Sequence, residues 1–83
     1  MDYKFLNKVL GQIVSETTID YDKETIRTPF PPFHIPLFIL SYAFSSYRSP
    51  FTKHCNEVYG LNIEEIEYVW NEYREIIIDK IMS

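Results

Sequence analysis

Apolar side chains recur with a helical period over residues 3 to 16. Tyr3, Phe5, Leu6, Val9, Leu10, Ile13 and Val14 fall on one half of a helical wheel, with Lys4, Asn7, Lys8, Gly11, Gln12 and Ser15 opposite. Asp2 stands where an N-cap is needed, and Gly11 sits on the polar side. The pattern predicts a helix laid on a core. From Thr17 to Thr28 the period drops to two. β-branched residues flank the polar run Asp22-Lys23-Glu24, which predicts a short β-hairpin near 18–28. The turn lacks Asn-Gly, so an extended loop is the competing reading.

Residues 29 to 36, PFPPFHIP, carry four prolines and exclude regular helix or a central strand. Local polyproline II geometry is expected. Pro29 and Pro32 form a PxxP spacing without the basic flank of a proline-motif ligand, so the segment reads as a connector. Phe30 and Phe33 would pin it to the core. Leu37, Phe38, Ile39, Leu40, Tyr42, Ala43, Phe44 and Tyr47 then surround nearly the whole wheel. An element apolar all round is a buried helix or an association surface, and a buried strand over 37–44 competes. The length of the run favours helix.

The C-terminal half reads as two amphipathic helices. Ser49 and Pro50 suit an N-cap and first helical position, and Phe51, Cys55, Val58 and Tyr59 line one face. Gly60 supplies a left-handed stop, with Leu61 placed for the accompanying apolar contact. Asn62 and Glu65 have capping-box spacing. On the last helix, Ile63, Ile66, Val69, Trp70, Tyr73, Ile76, Ile77 and Ile81 fill an arc of roughly 140°. Glu64, Glu65, Glu72, Glu75 and Asp79 take most of the other side, with Tyr68 among them and Ile78 beside them. A solvated face is one reading of these acids, and a docking patch centred on Tyr68 is the other. The fold expected is one mainly α domain spanning 1–83: about four helices in a small bundle, an α-α hairpin at its end, and the β-hairpin.

Composition narrows the function. Fourteen aromatic residues, 17% of 83, exceed what a small core readily hides, so some rings are expected at an interface. One cysteine rules out an intrachain disulfide. The N-terminal residues lack the pattern of a signal peptide, and the apolar run Ile35–Leu40 is far short of the ~20 residues of a membrane span. A cytoplasmic protein is the expectation, in the host cell if a phage encodes it. Twelve acids against eight bases argue against binding through phosphates.

Helix, glycine turn and helix at this spacing resembles the helix-turn-helix of DNA-binding proteins, on Tyr59-Gly60-Leu61-Asn62 with Ile66 and Val69 behind it. Asn56 stands where that motif has a small residue. Glu64, Glu65 and Glu67 would face the major groove, where carboxylates repel phosphate. The stretches IVSETTIDY at 13–21 and YGLN at 59–62 through IEYVW at 66–70 resemble small uncharacterised proteins of tailed bacteriophages, which implies a viral context and no activity.

Catalytic chemistry finds little support. His54 and Cys55 are adjacent and lack zinc-site spacing, so neither a metal nor a cofactor is expected. A Cys-His nucleophile would need His34 folded onto Cys55, which lies on an apolar face. Two glycines leave no phosphate-binding loop. The reading is a non-enzymatic interaction protein acting on a host or virion protein. Its candidate contacts are Tyr68, Glu64, Glu72, Glu75 and Asp79 on the last helix, with Phe30, Phe33, Phe38 and Tyr42 as apolar anchors. The alternatives are a helix-turn-helix DNA binder using Lys53, His54 and Arg74, and a homo-oligomer with residues 37–47 as its seam.

Overall fold

A computed structural model describes residues 1–41 and 44–83. Helix α1 spans Tyr3–Ser15, and strands β1 (Thr18–Asp20), β2 (Thr25–Arg27) and β3 (His34–Pro36) follow. Two 3-10 segments, Leu37–Ser41 and Phe44–Tyr47, lead into α2 (Arg48–Tyr59) and α3 (Ile63–Met82). The described residues therefore hold three α-helices and a three-stranded antiparallel sheet, where the apolar pattern predicted about four helices. Tyr42 and Ala43, and with them part of the expected fourth helix, lie outside the described residues.

Residues 37–41 and 44–47 show why no regular helix forms there. A regular helix presents one face to a core, whereas here Leu40 and Phe44 are buried, Leu37, Ile39 and Tyr47 half-buried, and Phe38 is 68% exposed. Short 3-10 turns let a chain with apolar residues on all sides place selected ones inward as it crosses α3. The second turn runs straight into α2, so that helix begins at Arg48 rather than Pro50. Tyr47, not Ser49, is its N-cap, and no side chain caps it. Pro50 becomes the third helical residue, where its missing N–H is one that has no partner within the helix.

The sheet has order β1-β2-β3, with Ile19, Ile26 and Ile35 in one cross-strand row. Ile26 and Ile35 are fully buried and Ile19 half-buried, so this face covers the helices. β3 falls in the proline-rich connector, where no strand was predicted. It lies at the sheet edge, where Pro is tolerated. The Thr28 N–H donates to Phe33 O (3.0 Å) and the Leu37 N–H to Glu24 O (2.9 Å). Bonded pairs therefore alternate, and Pro36 falls at a position whose nitrogen faces away from β2. Buried Thr28 ties the connector down: its hydroxyl donates to Pro31 O (3.3 Å) and accepts from the Phe33 N–H (3.4 Å).

α1 and α2 both pack on α3. Leu6, Val9, Leu10 and Ile13 of α1 are buried, as are Ile66, Val69, Trp70, Tyr73 and Ile77 of α3. Tyr3, Phe5, Val58 and Ile63, which the wheels put on apolar faces, are 52%, 43%, 59% and 74% exposed. All four lie within the first or last turns of their helices, where the face runs past its neighbour. At the centre a ring cluster joins the segments: Phe30 packs edge-on to Phe51 (5.1 Å) and Tyr73 (5.8 Å), and Phe44 and Phe51 pack on Trp70 (5.0 and 4.9 Å). The Thr17 hydroxyl donates to Ile13 O (2.8 Å), so the Tyr73 hydroxyl, 2.9 Å away, is the donor to Thr17.

Candidate functional site: a cleft between α2 and α3

Local chemistry fixes the corner between the last two helices. Gly60 takes φ +66°, and its N–H donates to Asn56 O (3.1 Å). Asn62 Oδ1 accepts from the Glu65 N–H, and Glu65 Oε1 accepts from the Asn62 N–H, both at 2.9 Å. Asn56 Nδ2 donates to Leu61 O (3.1 Å), crossing the turn at the position where a helix-turn-helix has a small residue. The longer polar side chain thereby braces the corner, tying the last turn of α2 to the residue before Asn62.

The result is a cleft of about 830 Å³ in the angle of the two helices. Its α2 wall is a polar stripe at helical spacing, Arg48, Ser49, Thr52, Lys53 and Asn56, extended by Ser45 of the preceding 3-10 turn. Opposite stand Leu61, Asn62, Ile63 and Ile66. Leu61 and Ile66 are buried and form an apolar floor, while Ile63 rises from it into solvent. Arg48 Nη2 lies 4.0 Å from Glu67 Oε2, both exposed, and this is the one ion pair among the described residues. Such a surface pair contributes about 0–1 kcal/mol. Lys53, also exposed, makes none.

The residues singled out from sequence are dispersed. Phe30 is 0% exposed and belongs to the core, so it is no surface anchor; of its two expected roles it fills the connector's. Phe33 is half-buried and edge-on to Tyr47 at 5.6 Å. Phe38 is exposed, and Tyr42 lies outside the described residues. Tyr68, the expected centre of the acidic patch, is half-buried. Its hydroxyl donates to Asn7 Oδ1 (2.9 Å) and its ring packs edge-on to Tyr3 (5.1 Å), which joins α3 to α1. Glu64, Glu75 and Asp79 are exposed and Glu72 half-buried, none of them ion-paired among the described residues.

Of the DNA-reading set, Lys53 and His54 share a second, smaller hollow with Pro50 and the carboxylate of Glu57, and Arg74 lines neither it nor the cleft. Lys53 lines both, and His54 is half-buried between Phe30 (6.4 Å) and Tyr59 (5.9 Å). The His54 Nε2 is buried with no hydrogen-bond partner among the described residues. Cys55 is fully buried, and burial pushes its thiol up to about 12, opposite to the activation a nucleophile needs. His34 stands exposed on the solvent face of the sheet beside Arg27, Thr18 and Asp20. Among the described residues no three His, Cys, Asp or Glu side chains are grouped to hold a metal, and no helix is long and apolar enough to cross a membrane.

Sequence reasoning missed Ile63 as a surface residue and Thr52 and Asn56 as parts of a wall. The available signal was positional. Ile63 directly follows the N-cap, so it precedes the stretch of α3 that the rest of the chain covers. Comparison with family models, with curated proteins and with solved structures finds no match for this chain.

Proposed function

We propose that the protein is a non-enzymatic docking module that captures a segment of another protein in the α2–α3 cleft. The observation that carries this reading is Ile63, an isoleucine 74% exposed above a floor of buried Leu61 and Ile66 and walled by neutral and basic polar groups. An apolar centre with a polar rim is the common anatomy of protein recognition sites. The volume is within the ~300–1,000 Å³ range of ligand sites. Its open angle and exposed polar groups suit a side chain presented by a protein better than a small molecule, which needs enclosure. The resemblance to tailed-phage proteins supplies the context in which we take the partner to be a host or virion protein.

Peptide display against the immobilised protein, with Ile63→Arg as counter-selection, tests the reading. Position 63 is exposed, so the variant retains the fold. The expected result is a family of peptides retained by the wild type and lost on the variant. Enrichment of none, or of peptides indifferent to residue 63, refutes it.

A further inference from the structure

We infer that the segment the cleft accepts combines a bulky apolar anchor with flanking carboxylates, an inference that rests on the docking reading above. The chain carries twelve acids against eight bases, yet the cleft lining includes Arg48 and Lys53 and no carboxylate. Two of the three early carboxylates of α3 are already engaged beside it. Glu65 accepts from the Asn62 N–H, and Glu67 faces Arg48.

Arg48 is held only at 4.0 Å and in solvent, which leaves donors of its guanidinium for a second carboxylate. Lys53 carries an ammonium with no ion pair among the described residues. Both cations stand on the α2 wall, across the floor from Ile63. A partner that seats a Leu- or Phe-sized side chain against Ile63 and Leu61 thereby brings its neighbouring residues against this basic wall. Carboxylates there gain attraction, and lysines there are repelled. Thr52 and Asn56 add neutral hydrogen bonding between the two charges.

The test titrates ¹⁵N-labelled protein with three short synthetic peptides sharing a central Leu-Leu pair. The flanks are Asp in the first, Asn in the second and Lys in the third. The expected order is Asp, Asn, Lys, with the Asp peptide binding roughly three- to tenfold more tightly than the Asn peptide. Amide shifts should concentrate at Thr52, Lys53, Asn56 and Ile63. Lys53→Glu, an exposed change that leaves the core intact, should invert the order of the Asp and Lys peptides. Equal binding of all three, or preference for Lys flanks by the wild type, overturns the inference while leaving cleft docking to be judged by the display experiment. Failure of every peptide to shift the cleft amides overturns it as well.

Discussion

Replacing Phe30 by alanine removes a ring that is 0% exposed and wedged among Phe51, Tyr73 and His54, at centroid distances of 5.1, 5.8 and 6.4 Å. Loss of the buried side chain and the cavity it leaves cost about 3–5 kcal/mol. The edge-on pairs with Phe51 and Tyr73 are part of that cost, at about 0.5–1.5 kcal/mol each. A chain of 83 residues has a total stability of about 4–12 kcal/mol by the usual per-residue range. Phe30→Ala therefore consumes much of the margin, and the protein should be largely unfolded or close to it at 37 °C. Urea unfolding followed by Trp70 fluorescence measures the effect. Phe30→Leu, which keeps most of the volume, should retain the fold and lose about 1–2 kcal/mol. A shift below about 1 kcal/mol for Phe30→Ala would show that the ring is not held in the core. The surface-anchor role for Phe30 would then return.

Two Gly→Ala changes should have opposite signs: neither added methyl meets an atom within 4 Å, so only backbone terms act. Gly11→Ala in exposed mid-α1 should stabilise by about 1 kcal/mol, and Gly60→Ala at φ +66° should destabilise by about 1 kcal/mol, both read as shifts in the urea midpoint. His54→Leu removes the unpartnered buried Nε2, whose burial costs about 1–3 kcal/mol, so this variant should be as stable as the parent or more so. Burial pushes the Cys55 thiol from 9.0 to about 12 and the Tyr73 hydroxyl from 10.0 to about 12. The unfolded chain therefore releases these protons first. Stability should be complete below pH 9 and fall from there towards pH 12, and Cys55→Val should delay the onset to about pH 10. Below pH 9 a thiol reagent should modify Cys55 only as fast as the chain opens, which stopped-flow absorbance can follow.

What could be read from the chain was whatever local chemistry decides. Asp2 caps α1 through the Phe5 N–H at 3.1 Å, Gly60 turns the corner, and Asn62 and Glu65 form their reciprocal pair, because each depends on neighbours within a few residues. The alternation of Thr18–Thr28 likewise produced β1 and β2, with Ile19 opposite Ile26. The stretch 37–47 resisted because an all-apolar run has no period to read, and tertiary packing chose 3-10 turns for its described parts, Leu37–Ser41 and Phe44–Tyr47. β3 was hidden for a related reason. Prolines remove a segment from central strands, and only the register against β2 reveals that Pro36 sits where no donor is needed.

The site was less legible than the fold. A wheel drawn for α3 puts Ile63 beside Trp70, yet one is 74% and the other 2% exposed, because burial depends on where a neighbouring element ends. The same wheel put Tyr68 among the acids without showing that Asn7 and Tyr3 of α1 reach it. Asn56 was legible as a departure from a familiar pattern. Its role as the brace of the corner required the bond to Leu61 O.

The most direct test of cleft docking attaches a nitroxide to a peptide selected on the wild type and maps paramagnetic broadening over the protein amides. If the cleft is the docking site, broadening is greatest at Thr52, Asn56 and Ile63 and fades towards Glu75 and Asp79. Greatest broadening at Glu72, Glu75 and Asp79, with Ile63 unaffected, would contradict it and return the docking surface to the acidic face of α3.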